Sequence, residues 1–210
     1  MQSHPKNNVP ENIYEKIGRN LHLKPNHPLN ILRTAIYQYF DTLAPGRFNK
    51  FDTLAPVVSI VANFDEVLVP ADHVSRSPND TYYVDDQSVL RCHTSAHQAE
   101  MLRKGETGEA QASHHEHKVQ SICTPGTRVT HCACRGPVSG TSTSAAFLVT
   151  GDVYRRDAID ATHYPVFHQM EGVRVFTREE WEAAGHEDGT KMAEVELKKA
   201  LEGLARHLFG

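Results

Sequence analysis

Apolar positions recur at helical spacing from Asn26 to Phe40, with Leu29, Leu32, Ala35, Ile36, Tyr39 and Phe40 on one face. The pattern predicts a core-packing helix with Asn26 as candidate N-cap and Pro28 in its first turn. The pentapeptide DTLAP, at 41–45 and again at 52–56, marks two turns rather than a repeat architecture. Beyond it the pattern shortens. Between Val57 and Val69 the β-branched and apolar residues come in short runs, and TYYVDDQSVLRC (81–92) predicts strand-like ends around an Asp-Asp turn. Thr94 and Ser95 are alternative caps for a short helix through Met101 and Leu102. Two further runs, AAFLVTGDVYR (145–155) and VFHQMEGVRVF (166–176), predict an antiparallel strand pair joined by a polar loop. Thr177 and Glu180 have capping-box spacing. Met192, Val195, Leu197, Leu201, Leu204 and Leu208 predict a final amphipathic helix.

One stretch breaks this regularity. Residues 105–144 are rich in Gly, Ser, Thr and His, show no period of 2 or 3.6, and carry few large apolar side chains. Such a segment buries too little surface to offset its ordering entropy, so a low-order, disordered insertion is expected there. It holds His114, His115 and His117 and three of the four cysteines, Cys123, Cys132 and Cys134. Their C-x8-C-x-C spacing does not match the paired ligands of zinc sites, and no metal site is expected.

Composition adds limits more than direction. The 210-residue chain has a formal net charge of -4 and a pI near 6.4, so no chain-wide basic field exists for gripping nucleic acid. No apolar run approaches the ~20 residues that cross a bilayer, and no membrane association is expected. The N-terminal residues have neither a secretory h-region nor the Arg-rich, acid-poor look of a transit peptide.

Chemical groups concentrate between Arg155 and Glu171. Gln169 and Glu171 stand two apart on one strand and so share a sheet face. A carboxylate beside an amide suits an ammonium ligand, the first supplying charge and the second orientation. Arg155, on the facing strand, offers a planar fork for a phosphate or carboxylate. The set describes a place for an amino acid beside a nucleotide phosphate.

GDVYRRDAIDATHYPVFHQMEG (151–172) resembles the motif 2 hairpin of phenylalanyl-tRNA synthetases, a class II aminoacyl-tRNA synthetase family. NFDEVLVPADHVSR (63–76) and LRCHTSAHQ (90–98) resemble two earlier blocks of the same family, in the same order. The Ala-His before Gln98 is closer to the single-chain mitochondrial or organellar type than to the two-subunit bacterial type.

The resemblance implies an α+β fold, the class II catalytic domain, an antiparallel sheet flanked by helices and here incomplete. Its layout would be 1–104 as the N-terminal part, 105–144 as the insertion, and 145–210 as the hairpin with following helices. Motif 3 and an anticodon-binding domain would be absent. The implied activity is ATP-dependent attachment of phenylalanine to tRNA(Phe) through a phenylalanyl-adenylate, with Mg²⁺, by a monomer of the mitochondrial matrix. A non-catalytic ATP- or partner-binding fragment is the alternative. By resemblance Arg155 is the catalytic arginine on the α-phosphate. Ser95, Ala96, His97 and Gln98, with Gln169, Met170 and Glu171, line the amino-acid site. Thr162, His163 and Tyr164 cover ATP and approach the tRNA acceptor end.

Overall fold

The structure, a computed structural model, describes residues 4–107, 145–156, 160–161 and 163–210. Most of the expected insertion, with its histidines and three cysteines, lies outside the described residues, as does Thr162.

The expected hairpin organises the rest. Strands β4 (Ala146–Tyr154) and β5 (Val166–Arg174) pair antiparallel along their whole length, from Ala146 opposite Arg174 to Tyr154 opposite Val166. β4 is buried throughout because it is the central strand: β1 (Asn49–Phe51) lies parallel to it against Phe147–Val149. The sheet is therefore mixed, and the parallel edge is a feature that hydrophobic alternation alone did not indicate. A second, two-stranded sheet joins β2 (Val57–Ser59) to β3 (Ser88–Leu90), and Tyr83 bridges to Val89 around the expected Asp-Asp turn. A π-helical turn, Val61–Asp65, follows β2 where short apolar runs had suggested more strand.

Each sheet face has its own cover. On one, Phe147 and Val149 pack with Met101, Phe51, Leu54, Leu102 and Val173. On the other, helix α2 (Pro28–Leu43) sends Tyr37 down, its hydroxyl 2.9 Å from Thr150 Oγ1. A second cluster of Val9, Ile13, Tyr82, Leu90 and Tyr154 ties the N-terminal segment, with α1 (Glu11–Tyr14), to the hairpin base.

Two caps differ from expectation. Asn26 sits at φ +64°, a left-handed position that Asn tolerates, so α2 opens one residue later. The cap is His27, whose Nδ1 accepts the Leu29 N–H at 3.2 Å. Thr94 and Ser95 likewise do not cap. They lie inside a 3₁₀ turn, Thr94–His97, that runs into α3 (Gln98–Thr107), and their hydroxyls turn to another partner. The capping box is as expected: α4 (Arg178–Ala183) opens with Thr177 Oγ1 accepting Glu180 N–H and Glu180 Oε2 accepting Thr177 N–H. The final helix, α5 (Gly189–Phe209), starts at Asp188 and crosses α2, where Tyr39 donates its hydroxyl to Ala200 O at 3.0 Å.

Candidate active site

Alternation along β5 puts Phe167, Gln169, Glu171 and Val173 on one face. The 3₁₀ turn lies over that face. Ser95 donates its hydroxyl to Glu171 Oε2 in a short contact, and Thr94 Oγ1 reaches the same oxygen at 3.4 Å. The Thr94 N–H donates to Gln169 Oε1 at 3.3 Å. Carboxylate, amide and two hydroxyls thus converge at one partly exposed place, an acceptor-rich cup fit for an ammonium group.

Arg155 follows β4 directly and joins this face at its other end. Its guanidinium stacks 5.2 Å from the centroid of Phe167, and its Nε donates to Cys92 O at 3.0 Å. These contacts aim the fork while leaving its terminal nitrogens without a partner among the described residues. An anion bound there would lie along the same strand as the ammonium cup.

Other expected residues fall elsewhere. Ala96 and His97 are buried, and His97 faces inward rather than toward Glu171. Gln98 and Met170 line a groove of about 500 Å³ that α2, α5 and the β5 edge enclose. His163 and Tyr164 lie exposed in the hairpin loop, where the His163 Nδ1 and N–H engage Asp160.

Three residues outside the expected set take part. Thr94 is one. His93 is another: it feels the charges of both Glu171 and Arg155, its Nδ1 is buried without a partner among the described residues, and burial lowers its pKa. The sequence signal for both was their place in the LRCHTSAHQ block. The third is Arg91, only 1% exposed, whose NH2 pairs with Asp152 Oδ1 at 2.7 Å and whose NH1 lies 2.9 Å from His97 Nε2. Tyr154 donates its hydroxyl to the other Asp152 oxygen, and burial pushes the Tyr154 pKa up. Desolvation drives the His97 pKa down to about 4, with Arg91 adding to the effect. A buried arginine in a run of apolar residues gives no periodic signal.

Among the described residues no group of three His, Cys, Asp or Glu is placed to hold a metal ion, and no helix is long and apolar enough to cross a membrane.

Comparison with known proteins agrees with this fold. The family model for the tRNA synthetases class II core domain (F) matches residues 14–123 and 119–210. The chain is 53% identical over 206 residues to a chloroplastic/mitochondrial phenylalanine–tRNA ligase of Arabidopsis thaliana, covering 98% of this chain and 39% of the relative. It is 40% identical to a mitochondrial phenylalanine–tRNA ligase of Dictyostelium discoideum, with 97% and 41% covered. A crystal structure of pyrrolysyl-tRNA synthetase from Desulfitobacterium hafniense shares the fold at TM-score 0.52 and 12% identity, over 86% of this chain and 47% of that one. The chain spans about two-fifths of the length of these curated relatives.

Proposed function

The chain belongs to the class II tRNA synthetase core family, with organellar phenylalanine–tRNA ligases among its relatives, and on that premise we propose that it binds and activates phenylalanine for transfer to tRNA(Phe). The observation that carries this reading is the placement of Arg155 at one end of a strand face and Gln169 with Glu171 farther along it.

Glu171 and Gln169 take the substrate ammonium group, with Thr94 and Ser95 completing the cup. Arg155 takes the α-phosphate of ATP. The phenylalanine carboxylate oxygen attacks the α-phosphorus, the bond to the β-phosphate oxygen breaks, and pyrophosphate leaves. No side chain forms a covalent bond in this step. The rate gain comes from holding the two substrates in line and from a positive charge where negative charge develops. Mg²⁺ on the ATP phosphates would neutralise part of their charge. The acceptor-end hydroxyl of tRNA(Phe) then attacks the acyl carbon of the adenylate, the acyl–phosphate bond breaks and AMP leaves, with His163 and Tyr164 on the approach. Action in an organelle, as the relatives' names suggest, and as a monomer completes the reading.

Phenylalanine-dependent ATP–pyrophosphate exchange by the 210-residue chain is the test. We expect exchange that falls about 10²–10³-fold in Arg155→Ala, the usual cost of removing one charge-stabilising group. Because the chain covers about two-fifths of its relatives, a second outcome has a definite meaning. Saturable phenylalanine binding without exchange would mark a binding fragment and reject activation by this chain. Absence of phenylalanine binding would reject the site assignment as well.

A further inference from the structure

Arg91 occupies an unusual place. β1 pairs with β4 only as far as Val149, and the Arg91 backbone resumes the edge by accepting the Tyr154 N–H at 2.9 Å. Between these points the Arg91 side chain acts as the missing strand, its Nε donating to Asp152 O at 2.6 Å. Its NH2 pairs with the Asp152 carboxylate, and its NH1 serves both Leu54 O, at 3.2 Å, and His97 Nε2. A guanidinium only donates hydrogen bonds, so His97 Nε2 is the acceptor. The ring is therefore neutral, with its proton on Nδ1.

The guanidinium also lies on the substrate side of the sheet. Gly151 pairs with Gln169, and a Cβ on Gly151 would stand 2.8 Å from Arg91 Cζ. Paired residues share a face, so the buried cation is on the face of Gln169 and Glu171. Asp152, which also accepts the Tyr154 hydroxyl, balances the charge that would otherwise oppose a bound ammonium group.

We infer that Arg91, acting through His97, is a positioning residue that holds the Thr94–His97 turn over Gln169 and Glu171 and thereby sets the grip of the ammonium cup. The inference rests on the ammonium assignment proposed for that cup. His97 closes the turn, and Thr94 and Ser95 open it. A tether at its far end fixes the distance between its hydroxyls and Glu171.

His97→Leu tests this directly, since it removes the acceptor and leaves the Arg91–Asp152 pair. Phenylalanine affinity of the 210-residue chain is measured by NMR titration for wild type, His97→Leu, Ser95→Ala and the double variant. The wild-type Kd should weaken about tenfold in His97→Leu, and much of that penalty should vanish in the Ser95→Ala background, because the tether works through the turn's hydroxyl. Fully additive penalties would show a general structural role and overturn the inference. A second readout needs no ligand: amide exchange at Thr94 should accelerate in His97→Leu, and in Arg91→Lys, by about tenfold more than at Val149. Equal acceleration at the two amides also overturns it. If wild type binds no phenylalanine, the ammonium assignment fails, and the Thr94 amide alone still decides whether Arg91 tethers the turn.

Discussion

At the scale of single residues, the site depends on groups kept in one protonation state by burial. His97 is the clearest case, with its folded pKa at about 4 against an ordinary 6.5. Above pH 6.5 the imidazole is neutral whether the chain is folded or not, and it contributes no pH dependence. Between 6.5 and 4 the unfolded chain takes up a proton that the folded chain refuses, so stability falls as pH falls. Below 4 the dependence levels off. The penalty amounts to about 2 kcal/mol once solvent screening is allowed for. His93 and His168, also lowered by desolvation, act in the same direction, so the difference between wild type and His97→Leu isolates one group. Urea unfolding at pH 7 and pH 4.5 should show wild type losing about 2 kcal/mol more than His97→Leu over this range. Equal losses would mean that His97 is hydrated in the folded state. Glu171 supplies the companion prediction at neutral pH. Glu171→Gln keeps the shape but removes the charge, and phenylalanine affinity should drop about 10–100-fold, read by the same titration. An unchanged affinity would move the ammonium site elsewhere.

Among the elements, the hairpin and its glycine show how much of this was legible in the sequence. Alternation along VFHQMEGVRVF put Gln169 and Glu171 on one face, and the Phe167–Arg155 contact extends that face to the arginine. The Thr177–Glu180 box and the presence of helices α2 and α5 were equally readable, because capping and amphipathic spacing are local properties. The α2 stripe does not form core, however: Leu32 is exposed and the helix's one buried side chain, Tyr37, lies outside the stripe. The parallel β1–β4 edge and the partners of Thr94 were not readable, since each depends on residues more than fifty positions away. Neither was the inward turn of His97, which follows from a buried Arg91 whose own partner is Asp152. Gly151 belongs to that second kind. It reads as an ordinary strand glycine, yet it leaves room for the Arg91 guanidinium. Gly151→Ala must therefore displace a buried cation from Asp152 rather than fill a void. We expect a loss of about 3 kcal/mol in chemical denaturation, the range for breaking a buried ion pair. Thr177→Ala removes one half of the capping box at a helix end far from the cup, so it should cost about 1 kcal/mol while leaving phenylalanine affinity unchanged. A Gly151→Ala loss no larger than that of Thr177→Ala would show that Arg91 can relocate at little cost.

For the molecule as a whole, the described residues leave one apolar surface only partly covered. Among them β5 has β4 on one side and no strand on the other. The groove beside that free edge is walled by Ile36 and Phe40 of α2, Leu148 and Val173 of the sheet, and Leu197 and Leu201 of α5. Leu197 and Leu201 are 60% and 57% exposed, and Ile31 and Leu32 continue the apolar character along α2. An enclosed core would hide these side chains, whereas an open groove of about 500 Å³ accepts a small apolar ligand. The same groove carries Gln98 and Met170, neighbours in sequence of the cup residues, so its wall and the cup share one strand and one helix start. This predicts that an anilinonaphthalene dye brightens on the folded chain, and that Leu197→Lys with Leu201→Glu removes most of the increase. Both side chains are more than half exposed, so thermal unfolding of the double variant should stay within about 1 kcal/mol of wild type. Phenylalanine affinity should also persist, because the ammonium cup lies on the opposite face of β5 from Met170. Loss of dye binding together with loss of the fold would instead show that the α2–α5 contact, and not the free groove, is what the two leucines support.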